Sequence, residues 1–121
     1  MKRAVLIVGH GSRSKDAQDI FNKIVQLVKD KSDYSIVEGA HMEICEPSIP
    51  NVVEEIIQKQ VEEILVVPYF LYEGIHIKED IPEIIEELSK KHTGVNFKMA
   101  RPIGAEPMLA DILIERAKEI V

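Results

Sequence analysis

Residues 4–12 read AVLIVGHGS, and this stretch decides the fold class. Its first five residues are continuously apolar and rich in branched side chains, which is typical of a strand buried on both faces of a parallel sheet. Two glycines and a serine around His10 then end the apolar run. Over residues 14–31, apolar residues recur at steps of three and four, as in an amphipathic helix. The N-terminal segment therefore predicts a strand followed by a helix.

The same alternation recurs three more times. Further strands are predicted over residues 36–45, 64–70 and 95–100, and each is followed by a segment with helical spacing. Repeated βα units imply right-handed crossovers and a parallel sheet with helices on both faces. We therefore expect an α/β fold, a doubly wound, flavodoxin-like sandwich. A chain of 121 residues with 45% hydrophobic content fits a single domain over residues 1–121.

Helix starts can be placed from capping residues. Ser48 is expected to cap the second helix, with Pro50 in its first turn. A loop over residues 71–79 is expected to separate the third strand from a helix opened by Asp80, with Glu83 completing a capping box and Pro82 in the first turn. The third helix is thus predicted to begin near residue 80.

Composition excludes several classes of function. The formal net charge of −6 argues against a nucleic-acid partner, which would require clustered Lys and Arg. The single cysteine, Cys45, cannot form an intrachain disulfide or a Cys-based zinc site, and is expected to be a small buried thiol. The N-terminal apolar run is too short for a signal peptide or a membrane span. We expect a cytoplasmic protein without membrane association.

Two histidines are predicted at one edge of the sheet. His10 follows the first strand and His76 lies in the loop after the third, and ligands bind beyond the carboxyl ends of parallel strands. Alternatively, His10 only caps a helix or bonds within a turn. A glycine turn before a helix can also cradle a phosphate, but the chain has neither G-x-G-x-x-G nor a P-loop lysine. We therefore hypothesise that the two imidazoles face one cleft.

Other side chains extend this candidate site. If the second strand is regular to residue 45, alternation places Glu43 on the same face as His41 and Cys45, near both predicted histidines. Imidazole and carboxylate together suit a divalent first-row metal. His41 and His92 are weaker metal candidates. An apolar wall for a small molecule is expected from Tyr69, Phe70, Leu71, Tyr72 and Ile75.

Three motifs together carry a family resemblance. They are VGHGSR over residues 8–13, Glu43 with CEPSIP over residues 45–50, and GIHIKEDIP over residues 74–82. In this combination the chain resembles the small form of the sirohydrochlorin cobaltochelatases, which belong to the class II chelatases and have nickel-inserting archaeal relatives. The likeness runs along the whole chain, including RPIG over residues 101–104. A histidine-rich insertion of some small relatives is absent near His92.

The resemblance implies roles for the motif residues. His10 would accept protons and bind the metal, His76 would be a second metal ligand, and Glu43 would be an assisting carboxylate. The residues implied to contact the macrocycle are Arg13, Glu46, Leu71, Tyr72, Glu73, Gly74, Ile75 and His76. Longer relatives carry two such halves, which implies a homodimer here. Lys78 and Arg101 also follow predicted strand ends, where they can offset substrate carboxylates.

The expected reaction is insertion of Co²⁺, with Ni²⁺ or Fe²⁺ as alternatives, into sirohydrochlorin with loss of two pyrrole protons. The metal is a substrate, and no tightly bound cofactor is expected. The reaction would serve the biosynthesis of cobalamin or of a related tetrapyrrole, coenzyme F430. Three alternatives stay open: a sirohydrochlorin ferrochelatase for siroheme, a non-catalytic metal or tetrapyrrole carrier, and a flavodoxin-like regulatory module, which His10 at the first strand end disfavours.

Overall fold

The fold is described from a computed structural model of residues 1–121, which gives the backbone throughout and every side chain except that of His76. Strands and helices alternate along the described backbone, as the sequence predicted. The strands are β1 (Arg3–Gly9), β2 (Val37–His41), β3 (Glu63–Pro68) and β4 (Asn96–Met99). The helices are α1 (Lys15–Lys31), α2 (Ile49–Ile57), α3 (Ile75–Lys91) and α4 (Pro107–Glu119).

The strands form one parallel sheet in the order β2-β1-β3-β4. Val5 in β1 pairs with Val37 on one side and with Leu65 on the other, and Ile64 in β3 pairs with Phe97 in β4. The strand order reverses between β1 and β3, because β2 lies on one side of β1 and β3 on the other. In doubly wound sheets the ligand cleft opens at such a reversal, beyond the carboxyl ends of the strands.

Alternate residues of the central strands face two separate cores. Val5 and Ile7 pack with Phe21 of α1. Leu6 and Val8 point to the other face, where α2 and α3 cover the sheet with residues that include Ile49, Val52, Val53, Ile56, Ile81, Ile85 and Leu88. Helices therefore cover both faces, and the predicted α/β sandwich is confirmed.

The second strand is shorter than predicted. It ends at His41 rather than at residue 45, and residues 42–47 form bends. The backbone N–H groups of Met42 and Glu43 donate to the carbonyl oxygens of Gly9 and His10, which draws the chain over the end of β1. The predicted alternation of side chains through residue 45 was therefore wrong. Cys45, expected to be buried, is half-buried.

The third helix begins earlier than predicted. Gly74 is its N-cap and Pro82 lies inside it, so the proposed capping box of Asp80 and Glu83 was wrong. The apolar stripe explains the difference: Ile77 packs against the same core as Ile81, four residues later, which continues the buried face of the helix toward its N-terminus. The helix thus continues through Pro82, although proline cannot donate a backbone hydrogen bond.

The second helix begins as predicted. The Ser48 side chain accepts a hydrogen bond from the backbone N–H of Asn51 at 3.3 Å, with Pro50 in the first turn. The last helix differs from the others, because α4 has no buried residue among those described. As far as the described residues extend, none of the four helices is long and apolar enough to span a membrane.

Candidate active site

His10 lies at the carboxyl end of β1 and faces a carboxylate. Its Nε2 is 3.0 Å from Oε1 of Glu43, and both side chains are about half-exposed, at 52% and 57%. The two backbones are joined as well, since the Glu43 N–H donates to the His10 carbonyl at 3.1 Å. Imidazole and carboxylate thus form a pair that solvent and ligands can reach.

A tight turn holds Glu43 in this position. The Cys45 N–H donates to the Glu43 carbonyl oxygen at 2.9 Å, across Ile44 with a φ of 76°. A hydrogen bond over two residues with a positive φ at the central residue is the rarer and strained form of the γ-turn. A branched residue seldom adopts that conformation. Glu43 therefore reaches His10 through a turn and not through the regular strand that we predicted.

Gly11 allows this turn to lie against the histidine loop. Its φ is 107°, a value that side-chain-bearing residues rarely adopt. A Cβ placed there would overlap the Glu43 carbonyl oxygen and lie 3.0 Å from the carbonyl carbon. Glycine at position 11 thus sets how closely the loops after β1 and β2 approach.

An apolar cleft opens beside His10, at the strand-order reversal. Its volume is 470 Å³ and its lining consists of His10, Tyr69, Phe70, Leu71, Tyr72, Gly74 and Ile77. The backbone after β3 is tied to β1, since the Tyr69 N–H donates to the Val8 carbonyl at 2.8 Å. Residues 69–72 line the cleft, as predicted for the apolar wall. Ile75, also predicted there, is exposed and is not in the lining, which contains Ile77 instead.

A smaller cavity of 200 Å³ is also lined by His10, and sequence reasoning missed the residues that α1 contributes to it. Ser12, Gln18 and Phe21 contribute, and so does His41. Burial lowers the pKa of His41, against an opposing effect of the Glu46 charge. The His41 ring lies 4.8 Å from that of Phe21. The sequence cue that could have identified Gln18 is its position one turn into α1. In the structure its side chain donates to the Ser12 carbonyl at 2.8 Å.

Several predicted macrocycle contacts are not among the residues that line the cleft. Glu46 accepts hydrogen bonds from the Ser48 N–H at 3.0 Å and the Asn51 side chain at 3.4 Å, which places its carboxylate at the start of α2. Arg13 is exposed on the loop before α1. Glu73, Lys78 and Arg101 line an adjoining cavity of 320 Å³. That cavity shares Ile77 with the cleft, so these three charged residues lie next to it.

His76 carries the second predicted imidazole, and its side chain lies outside the described residues. Position 76 falls in the first turn of α3 rather than in the predicted loop. Among the described side chains, no three His, Cys, Asp or Glu residues group closely enough to hold a metal ion. The described part of the site is therefore the pair of His10 and Glu43.

His92 lies away from this site. Its Nε2 is 2.8 Å from Oε1 of Glu54 in α2, and Lys91 also approaches that carboxylate, at 3.0 Å. Hydrogen bonds from Lys91 and His92 lower the pKa of Glu54. This arrangement joins α3 to α2 and gives His92 a structural role.

The fold and the site together indicate a general class of protein. A doubly wound sheet with an exposed imidazole–carboxylate pair at an apolar cleft is the arrangement of a small-molecule enzyme domain. The comparison with known proteins is more specific. The CbiX family model matches residues 4–120, and the chain belongs to the CbiX family.

Relatives of this chain include proteins of about its own length and proteins that are about twice as long. It is 34% identical to a chloroplastic sirohydrochlorin ferrochelatase of Arabidopsis thaliana over 93% of this chain, but spans only 50% of that protein. It is also 34% identical to a sirohydrochlorin cobaltochelatase of Methanopyrus kandleri, over 96% of this chain and 95% of the relative. The sirohydrochlorin chelatase SirB from Bacillus subtilis subspecies spizizenii, solved in complex with cobalt, superposes with a TM-score of 0.94 at 32% identity, over 99% of this chain and 51% of SirB.

Proposed function

We propose that the chain inserts Co²⁺ into sirohydrochlorin, releasing two pyrrole protons, in the biosynthesis of cobalamin or of a related tetrapyrrole such as coenzyme F430. The observation that carries the proposal is the 3.0 Å approach of His10 Nε2 to Glu43 Oε1 at the mouth of an apolar cleft. Membership of the CbiX family and relatives named for sirohydrochlorin chelation support the substrate.

The reaction requires proton acceptors beside a flat apolar binding surface. As the metal enters the macrocycle, two N–H bonds break, the metal becomes bound by the four ring nitrogens, and two protons must leave. An imidazole at the cleft can take a proton from a pyrrole nitrogen, and a neighbouring carboxylate orients the ring and stabilises the imidazolium. His10 has that role in our proposal, and Glu43 is its partner and a metal ligand during delivery.

The apolar cleft suits one face of a tetrapyrrole ring. Residues 69–72 and Ile77 provide the apolar wall, on which the macrocycle would lie. Lys78 and Arg101, in the adjoining cavity, are at the rim, where the substrate carries carboxylates. We keep Arg13, Glu46 and the segment from Leu71 to His76 as proposed substrate contacts, with His76 as the second metal ligand.

The ligands of the proposed site do not determine which metal is inserted. Imidazole and carboxylate bind several first-row divalent ions, and supply in the cell often decides which is used. Relatives named for cobalt and for iron support Co²⁺ and Fe²⁺. Insertion of Fe²⁺ for siroheme is therefore the second candidate function. Ni²⁺ and a cytoplasmic location stay predictions from the sequence.

We also propose that residues 1–121 are one half of an active homodimer. The chain spans half of the Arabidopsis relative and of SirB, yet nearly all of the Methanopyrus relative. A second copy facing the cleft would supply what the second half supplies in the longer proteins. The open mouth at His10, with half of the side chain exposed, leaves room for it.

The test is metal insertion followed by the absorption spectrum of sirohydrochlorin under anaerobic conditions. Wild type should convert many equivalents of substrate with Co²⁺, whereas a carrier would stop at one equivalent. Loss of an acid–base group typically costs about 10²- to 10⁴-fold, so His10→Ala should lose at least about 100-fold in kcat. His92→Ala is the matched control, because that imidazole lies away from the cleft. A His10→Ala rate equal to that of wild type would overturn the mechanism, and rates with Co²⁺, Ni²⁺ and Fe²⁺ would rank the metals.

A further inference from the structure

The imidazole of His41 is buried without a hydrogen-bond partner. The residue lies at the end of β2 and is 5% exposed. Its backbone N–H donates to the Pro47 carbonyl oxygen at 2.9 Å and its ring contacts that of Phe21, but no described residue is hydrogen-bonded to the ring nitrogens. Buried polar side chains normally have such a partner, and each exception requires an explanation.

The ring nitrogens of His41 face the small cavity that His10 also lines. Among the described side chains, the Ser32 hydroxyl is the polar group that is fully enclosed without a partner, and neither nitrogen of His41 is in that state. The nitrogens are therefore in contact with open space. The described cavity of 200 Å³ that His41 lines provides this space. A hydrogen-bond partner for His41 would have to enter it from outside the chain.

Two further side chains add hydrogen-bond donors to the cavity. The Ser12 hydroxyl oxygen accepts from the backbone N–H of Ser14 at 3.0 Å, which leaves the hydroxyl proton available to donate. One amide N–H of Gln18 donates to the Ser12 carbonyl, and the amide has a second N–H. An imidazole has at least one N–H whether it is neutral or charged. The three side chains that line the cavity thus offer one donor each.

The helix beside the cavity favours an anion as the occupant. The start of α1 contributes to the lining, and the N-terminus of a helix has a partial positive charge. The opposing charges are two carboxylates that already have partners: Glu46, whose charge acts on His41, is hydrogen-bonded at the start of α2, and Glu43 is paired with His10. Among the described side chains, no group of three possible ligands would hold a metal cation there.

We infer that the small cavity binds one carboxylate side chain of the tetrapyrrole, through His41, Ser12 and Gln18. The inference rests on the proposed substrate, since sirohydrochlorin has acetate and propionate groups around its ring. A carboxylate has two oxygens that accept several hydrogen bonds, which matches the three donors. One water takes up about 30 Å³ in the liquid, so a cavity of 200 Å³ has room for such a group.

The small cavity adjoins the cleft in which the macrocycle is proposed to lie. Both are lined by His10, Tyr69 and Phe70, so a side chain at the edge of the ring can reach the cavity while the ring lies in the cleft. A macrocycle with a hydrogen or a methyl group at that position would leave the donors without a partner, which lowers affinity. The three side chains would therefore select carboxylate-rich tetrapyrroles and fix the rotation of the ring above His10.

Variants of the donors test the site through substrate binding in the absence of metal. His41→Phe keeps an aromatic ring beside Phe21 and removes both nitrogens, and Gln18→Leu removes the amide. Each should raise the Kd of metal-free sirohydrochlorin, measured from its absorption, at least about 10-fold, because hydrogen bonds to a charged group are among the stronger ones. Gln26→Leu is the matched control, since Gln26 also lies on α1 but donates to Asp30 on the exposed side.

A binding role and a purely structural role have different kinetic results. At saturating substrate, kcat for Co²⁺ insertion by Gln18→Leu should stay within about threefold of wild type while KM rises, because His10 and Glu43 are unchanged. Ser12→Ala, a change at a half-buried loop residue, should show the same split between KM and kcat. If the Kd values of His41→Phe, Gln18→Leu and Ser12→Ala all equalled that of Gln26→Leu, the inference would be overturned.

Nuclear magnetic resonance separates a substrate carboxylate from a free anion. In protein labelled with ¹⁵N-histidine, the ring resonances of His41, assigned by their loss in His41→Phe, should shift when metal-free sirohydrochlorin is added. Resonances that respond to sodium acetate but not to sirohydrochlorin would indicate a site for free anions and overturn the inference. Metal insertion is measured separately: a protein that binds sirohydrochlorin through His41 and inserts no metal refutes the proposed function alone, and one that inserts metal with unchanged Kd in all three variants refutes the carboxylate site alone.

Discussion

Replacing Gly11 with Ala should separate the two loops that hold His10 and Glu43. The added Cβ would overlap the Glu43 carbonyl oxygen and lie 3.0 Å from its carbon. Because carbon atoms pack at about 3.5–4.0 Å, the loops must move apart by about 1 Å. The Ala would also have to adopt a φ of 107°. Both effects act on the segment that aligns the imidazole with the carboxylate.

The expected cost has two parts. A side chain in a sparsely populated backbone conformation costs about 1–3 kcal/mol of folding free energy. A displacement of about 1 Å in a catalytic group can reduce the rate about 100-fold. Gly11→Ala should therefore lower the free energy of unfolding, measured by urea denaturation, by about 1–3 kcal/mol. Its kcat for metal insertion should fall by about 100-fold.

Two other glycines separate the causes. Gly104 has a φ of 70° but no close neighbour for a Cβ, so Gly104→Ala carries the backbone strain without the overlap. Gly94 has a Cβ position in open space and no positive φ, so Gly94→Ala should change neither stability nor rate. If Gly11→Ala inserted metal as fast as Gly104→Ala, the close approach of the two loops would not matter for catalysis, and the reasoning would be refuted.

Three further predictions concern residues that support the site. Phe21→Ala removes the ring between Val5, Ile7 and His41 and should cost about 3–5 kcal/mol in urea denaturation; a loss below about 1 kcal/mol would contradict its core role. Ile44→Asn should stabilise the fold by about 1 kcal/mol, because Asn tolerates the positive φ, and an unchanged or lower unfolding free energy would argue against strain at that turn. Hydrogen bonds from Lys98 and Arg3 lower the pKa of Glu63 in the folded protein. The ionised carboxylate therefore stabilises the fold at a pH above the ordinary pKa of Glu. This stabilisation is lost as the pH falls through the lowered pKa of the folded state. As the pH falls below the ordinary value of 4.5, the Tm of wild type should therefore decrease more steeply than that of Glu63→Gln, and parallel curves would contradict this.

The architecture could be predicted from the sequence because each buried strand has a local signal. The apolar runs before Gly9 and Tyr69 and the Ser48 cap all have short-range causes, and the structure confirms each of them. The start of α3 could not be predicted in the same way. Asp80, Pro82 and Glu83 form a convincing local capping pattern, but the burial of Ile77 against the core is a tertiary effect that extends the helix past it.

The candidate site, too, could be predicted only in part from the sequence. His10 could be placed from the strand before it, and Glu43 was correctly expected near it, but for a reason that was wrong. A positive φ at a branched residue such as Ile44 has no sequence signal, since it depends on hydrogen bonds from residues 42 and 43 to the loop after β1. Gln18 was missed as a cavity residue, and His41 was expected only as a weaker metal candidate, for a related reason. Their positions depend on how α1 packs across the sheet.

One chain provides some of the groups that the proposed reaction needs, but not all of them. Within one chain, backbone hydrogen bonds, a strained turn and a glycine hold the imidazole and the carboxylate 3.0 Å apart, so their alignment needs no partner. One chain also has an apolar wall, which in our proposal would cover a single face of the macrocycle. A flat ring has two faces, and the second must be covered if water is to be excluded while the metal enters. The open side of the cleft is where the proposed second copy would have to lie, so metal insertion should depend on dimer formation if the proposal is correct.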